Sequence, residues 1–94
     1  METAPRKRLL IIDDDRLFCD SATEFLSKIP VDIYSANSGK KGLDICSDKK
    51  IDIVLLDQKL PDIHGTDLYE SILSRNEQTK IIFIIINIPY TYKS

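Results

Sequence analysis

Two short apolar runs that each end in aspartate are the feature that most constrains the fold of this chain. Residues 51–56 are rich in isoleucine, valine and leucine and are followed by Asp57, and residues 9–12 are followed by three aspartates at 13–15. Short runs of branched apolar side chains are typical of strands that are buried on both faces of a parallel sheet. Because ligands of such sheets bind outside the carboxyl ends of the strands, we expect these aspartates to occupy a functional position.

Helical patterns separate the strands. Asp15 can cap a first helix, which Pro30 stops. The apolar stripe predicted for this helix consists of Leu17, Phe18, Ala22, Phe25, Leu26 and Ile29. Asn37 or Ser38 can cap a second helix, and Thr66 can cap a third. The predicted buried side of the third helix consists of Leu68, Tyr69, Ile72 and Leu73.

Two further strands, over residues 31–36 and 80–86, complete the alternation of strands and helices. This alternation predicts right-handed crossovers and an α/β fold, with a doubly wound parallel sheet and helices on both faces. We expect a single domain over residues 1–94. Cys19 and Cys46 fall in helices on opposite faces of this sheet, so we expect two reduced thiols rather than a disulfide.

Composition narrows the functional classes. The 94 residues carry a formal net charge of −2, which gives no general attraction to nucleic acid or to an anionic membrane. No apolar run approaches the roughly 20 residues that a membrane-spanning helix needs. The first residues also lack the apolar core of a signal peptide. We therefore expect a cytoplasmic protein without a nucleic-acid or membrane partner.

The aspartates suggest a metal site if the first and third strands are neighbours, as in the doubly wound order 2-1-3-4. Asp13, Asp14 and Asp57 then converge, and three carboxylates at close range repel one another unless a cation lies between them. Carboxylate oxygens with room for water suit Mg²⁺. A carboxylate beside Mg²⁺ can also attack phosphorus and form an aspartyl phosphate. The alternative is that the triple aspartate is a capped, solvated turn.

These motifs resemble the receiver domain of two-component response regulators. The resemblance rests on residues 10–15 and 53–57, on Leu60 with Pro61, and on Gly65, and it covers roughly residues 7–86. It implies a flavodoxin-like receiver fold and a signalling module rather than an enzyme.

The resemblance also implies a set of site residues. Asp57 would be the phosphoacceptor, supplied by a histidine kinase or a phosphotransfer protein. Asp13, Asp14 and Asp57 would bind Mg²⁺, and Lys59 would contribute its backbone carbonyl. The residues that would shape the loop after Asp57 are Leu60, Pro61 and Gly65.

The chain departs from the family pattern near its end. Receiver domains carry a serine or threonine at the end of the fourth strand, where this chain has Ile85. The family's fifth strand, with its lysine, and the last two helices have no match, and Lys93 is not assigned that role. Residues 87–94 are therefore predicted to be a non-matching tail. An exposed fourth strand would then invite a homodimer.

Two other functions remain open. Asp13 and Asp15 resemble the nucleophile motif of haloacid-dehalogenase-type phosphatases, which would make the chain a Mg²⁺-dependent phosphatase with an aspartyl nucleophile. The third possibility is an interaction module with the same fold that takes up neither phosphoryl group nor metal.

Overall fold

A computed structural model of the chain describes residues 5–84 and contains four strands and three helices. In chain order they are β1 (Lys7–Ile12), α1 (Arg16–Leu26), β2 (Val31–Ala36), α2 (Gly39–Asp48), β3 (Ile53–Asp57), α3 (Gly65–Arg75) and β4 (Lys80–Ile84). The strands form one sheet in the order β2-β1-β3-β4, and every neighbouring pair is parallel. The predicted α/β fold and strand order are confirmed.

Several predictions for the end of the chain fall outside the described residues. These are the extension of the fourth strand to residue 86, the match of Ile85 to the family's hydroxyl position, Lys93, and the tail over residues 87–94.

The core lies on both faces of the sheet because successive strand residues point to opposite sides. Leu10 and Ile12 of β1 pack on the side of α2 and α3, while Leu9 and Ile11 pack on the side of α1. All four side chains are buried. The continuous apolar run of β1 thus reflects burial on two faces, as the sequence predicts.

The prediction for α1 is wrong at three positions of its apolar stripe. Leu17 is 78% exposed, Phe25 is 70% exposed and Ile29 is 46% exposed. The side chains of this helix that pack against the sheet are Phe18, Cys19, Ala22 and Leu26. Leu17 lies on the side of the helix away from these residues, and Ile29 follows the end of the helix.

The prediction for α3 is right about its core and wrong about its cap. Leu68 and Ile72 are buried. The helix begins at Gly65, however, and His64 occupies the N-cap position without a side-chain hydrogen bond. Tyr69 is 37% exposed, although its ring stacks on that of Phe83 with centroids 5.8 Å apart.

The two cysteines are unpaired thiols on opposite faces of the sheet, as predicted. Among the described residues, no helix is long and apolar enough to cross a membrane.

Candidate functional site

Three carboxylates meet at the carboxyl edge of the sheet. Ile12 of β1 pairs with Leu56 of β3, so the residues that follow them emerge side by side. Asp13, Asp14 and Asp57 each place one carboxylate oxygen within 4.8 Å of the others. The convergence predicted from the strand order is therefore present.

Asp13 is the buried member of this cluster and is fixed by its own backbone. It is 3% exposed, and its N–H donates to the Ala36 carbonyl at 3.0 Å. Its carboxylate accepts a hydrogen bond from the Asp15 N–H at 2.8 Å. Burial raises the pKa of the Asp13 carboxyl; that hydrogen bond opposes the rise, and the negative charge of Asp57 adds to it.

Asp15 has a different task from its two predecessors. Its side chain accepts a hydrogen bond from the Phe18 N–H at 3.2 Å and caps α1, as predicted. The carboxylate is therefore engaged in the first turn of the helix, outside the cluster of three acids.

The cluster is open to solvent on one side. Asp14 is exposed and Asp57 is half-buried. Both line a cavity of about 420 Å³, together with Asp13, Asp15, Gln58, Lys59 and Ile84. A small anion or a hydrated cation can reach the carboxylates through this opening.

The donor set suits a divalent cation of the size of Mg²⁺. Oxygens on opposite sides of one Mg²⁺ lie about 4.2 Å apart, since each is about 2.1 Å from the ion. Neighbouring oxygens in the same octahedral shell lie about 3.0 Å apart. The three carboxylate oxygens lie within 4.8 Å of one another, so small side-chain movements would bring them into the shell of one ion. Water can complete the shell from the open side.

The loop after β3 folds back on itself next to Asp57. The Lys59 N–H donates to the Asp57 carboxylate at 3.2 Å, and Lys59 forms an isolated antiparallel bridge with His64. Leu60 packs against the core, Pro61 is exposed, and Gly65 is buried at the start of α3. Their predicted role in shaping the loop stays a prediction, as does the ligand role of the Lys59 carbonyl.

Asp62 is a site-region residue that the sequence reasoning missed. Its two carboxylate oxygens accept hydrogen bonds from the N–H groups of Gly39 at 2.9 Å and Lys40 at 3.0 Å. These bonds hold the pKa of the Asp62 carboxyl below its usual value. No local pattern points to this contact, because its partners lie 22 and 23 residues away in the chain.

Comparison with known proteins identifies relatives among bacterial regulators. The chain is 28% identical over 82 residues to the transcriptional regulatory protein CrdR of Helicobacter pylori, a match that covers 84% of this chain and 38% of that protein. It is 29% identical over 77 residues to the cell cycle response regulator CtrA of Brucella ovis, covering 82% of this chain and 33% of that protein. The chain thus spans about a third of the length of these curated relatives.

A solved structure of similar fold gives the same assignment. A CheY-like response regulator receiver domain protein from Methanospirillum hungatei superimposes with a TM-score of 0.81 at 32% identity, over 84% of this chain and 63% of that one. The family model of the response regulator receiver domain matches residues 9–92. Because this match covers most of the sequence, the chain belongs to the response regulator receiver domain family.

Proposed function

We propose that this chain accepts a phosphoryl group on Asp57 in a two-component phosphorelay, from a histidine kinase or a phosphotransfer protein. The observation that carries the proposal is the convergence of the Asp13, Asp14 and Asp57 carboxylates within 4.8 Å at the mouth of an open cavity. Membership of the receiver family supports the same assignment.

Mg²⁺ is the proposed cofactor, held by the carboxylates of Asp13, Asp14 and Asp57 and by the backbone carbonyl of Lys59. When bound, the ion supplies positive charge that offsets the negative charge of the phosphoryl oxygens. Asp13 is positioned for this role before any ion arrives, because the N–H of Asp15 and the Ala36 carbonyl fix its side chain and its backbone.

The chain's own part in the transfer is to present the Asp57 carboxylate. One of its oxygens attacks phosphorus, the bond from phosphorus to the partner's histidine nitrogen breaks, and the electron pair of that bond returns to the nitrogen. The Lys59 N–H restrains the carboxylate through its hydrogen bond at 3.2 Å. Half-burial leaves the other side of Asp57 accessible to the donor.

The phosphatase alternative has less support from the geometry. It requires Asp15 to act beside Asp13, but the Asp15 carboxylate caps α1 and is not one of the three converging acids. We therefore propose an acceptor that takes up one phosphoryl group, rather than an enzyme that turns over phosphate esters. Cytoplasmic location stays a prediction.

Treatment with acetyl phosphate and Mg²⁺, followed by intact-mass measurement, tests the proposal. We expect one added phosphoryl group in the native protein and none in Asp57→Asn. Asp44→Asn is the matched control, since this exposed carboxylate on α2 pairs with the Lys40 ammonium at 3.4 Å, lies outside the acid cluster and should leave the reaction unchanged. Modification that persists in Asp57→Asn, or steady release of phosphate from an ester, would contradict the assignment.

We also propose that two copies pair through β4. In the described sheet β4 has β3 as its one neighbour, and Ile82 is 53% exposed. Two β4 edges related by a two-fold axis give a closed dimer.

Sedimentation at micromolar concentration tests this pairing. We expect a dimer for the native chain and a monomer for Ile82→Lys. Leu17→Lys is the matched control, since Leu17 is even more exposed but lies on α1, away from the strand edge. A native monomer, or equal effects of the two substitutions, would refute the dimer without affecting the phosphoacceptor assignment.

A further inference from the structure

The loop that carries Asp57 into α3 is attached to a second helix, and Asp62 makes the attachment. Both oxygens of its carboxylate are used, one on the Gly39 N–H at 2.9 Å and the other on the Lys40 N–H at 3.0 Å. These are the first two residues of α2. A residue of one loop therefore caps a helix that begins more than 20 residues earlier in the sequence.

Capping of α2 does not depend on Asp62 alone. Ser38, the N-cap residue of α2, accepts a hydrogen bond from the Lys41 N–H at 3.2 Å. The first three N–H groups of the helix are thus shared between Ser38, which is local, and Asp62, which comes from the loop. This division separates two tasks: both residues cap the helix, but only Asp62 connects it to the loop.

The side chain that follows Asp62 in the chain adds van der Waals contact with α2 to these hydrogen bonds. Ile63 packs against Gly39 so tightly that a Cβ atom on Gly39 would lie 2.9 Å from the Ile63 Cδ1 atom. Such a distance is available only because residue 39 has no side chain. The middle of the loop is therefore held against α2 by hydrogen bonds and by van der Waals contact at adjacent positions.

The other part of the same loop reaches the candidate metal site. Lys59 donates its N–H to the Asp57 carboxylate, lines the cavity and bridges to His64 across the loop. Asp62 lies inside the segment that this bridge closes. Fixing Asp62 on α2 therefore restricts the positions that the Lys59 backbone can take.

We propose that Asp62 is a positioning residue, which ties the loop to the start of α2 and thereby holds Lys59 in place for metal binding and phosphoryl acceptance. The inference rests on the proposed function and deepens it. Asp62 does not contact the ion or the phosphoryl group; it acts through the loop backbone.

Titration of the full chain with Mg²⁺, followed by backbone amide chemical shifts, tests this role. For Asp62→Ala we expect the Mg²⁺ dissociation constant to rise about tenfold, as for other groups that orient metal ligands. Asp62→Asn keeps one acceptor oxygen and should give a smaller rise, which also preserves the test if the alanine variant folds poorly.

Two matched controls separate positioning from simpler effects. Ser38→Ala removes a cap from the same helix without touching the loop, and Asp67→Asn removes an exposed negative charge from the first turn of α3 without touching α2. Both should leave the dissociation constant within about twofold of native. An unchanged constant in Asp62→Ala, or the same rise in Ser38→Ala, would overturn the proposal.

Amide hydrogen exchange in the absence of Mg²⁺ distinguishes failure of this inference from failure of the proposed function. Exchange at Lys59 and His64 should accelerate in Asp62→Ala and not in Ser38→Ala, because only the first variant frees the loop. A native chain that does not respond to Mg²⁺ would contradict the proposed function. Unchanged exchange in Asp62→Ala would overturn the tether itself.

Discussion

Asp13 is held at the end of β1 by bonds that do not depend on its charge. Its carboxylate accepts one hydrogen bond from the Asp15 N–H, and an asparagine amide oxygen at this position could accept the same bond. Burial and the nearby negative charge of Asp57 both disfavour the ionised form of the Asp13 carboxyl. Without a bound cation, the ionised form of this side chain is therefore less favourable in the folded chain than in the unfolded one.

Asp13→Asn should stabilise the metal-free protein. The pKa of Asp13 is raised above its ordinary value of 3.8 in the folded state, so its protonated form favours folding and stability falls as pH rises through the folded pKa. At pH 7 in EDTA we therefore expect the variant to melt at a higher temperature than the native protein. Thermal unfolding from pH 4 to pH 8 measures both the shift and its pH dependence.

The electrostatic explanation requires the stability difference between Asp13→Asn and the native protein to change with pH. The gain in Asp13→Asn should shrink as the pH falls, because the native carboxyl then takes up a proton and loses its charge. A variant that is less stable than native at pH 7, or whose gain does not change with pH, would contradict the electrostatic explanation.

Helix α2 approaches β1 closely enough to exclude a methyl group. A Cβ atom on Gly42 would lie within 2.9 Å of the Ile12 Cγ1 atom and closer still to Cδ1. Alanine favours a helix over glycine by about 1 kcal/mol, but overpacking a core costs about 1–3 kcal/mol. We expect Gly42→Ala to be net destabilising in urea unfolding. In a chain that already carries Ile12→Val, which removes Cδ1, Gly42→Ala should cost less unfolding free energy than in the native chain. Equal costs in the two backgrounds would argue against the contact.

The corrected face of α1 gives a second prediction at the scale of elements. Leu17 is 78% exposed, whereas Leu68 of α3 is fully buried. Leu68→Ala should therefore cost about 2–5 kcal/mol of unfolding free energy, and Leu17→Ala less than about 0.5 kcal/mol. Urea unfolding of the two variants measures the difference. A large loss of unfolding free energy in Leu17→Ala would contradict the exposed position of Leu17 and support the apolar stripe predicted from the sequence.

At the scale of the whole molecule, the sequence predicts the strands, their order in the sheet and the meeting of the aspartates that follow them. The apolar runs identify β1 and β3, and the aspartates that follow them converge because parallel neighbours end at one edge. What the sequence could not supply depends on contacts between distant segments. Asp62 meets α2 across more than 20 residues, and the orientation of α1 is decided by which side chains the sheet can cover.

The two ends of the sheet also differ in charge. The acids of the candidate site follow the carboxyl ends of the strands, while a groove at the amino ends is lined by residues that include Lys7, Arg8 and Lys50. A six-residue strand separates these ends by about 20 Å, well beyond the Debye length of roughly 8 Å at physiological salt. Substitutions at the basic end should therefore not affect ion binding at the acidic end.

Linkage between Mg²⁺ and folding tests this separation. If the ion binds only the folded chain, stability should rise by about 1.4 kcal/mol for each tenfold increase of free Mg²⁺ above its dissociation constant. Thermal unfolding against Mg²⁺ at constant ionic strength measures the effect, which Asp57→Asn should reduce. Lys50→Gln should leave it unchanged, because this lysine lies at the opposite end of the sheet. A rise that potassium reproduces, or one that Lys50→Gln alters as strongly as Asp57→Asn, would show that the ion acts through general screening and not through the three converging carboxylates.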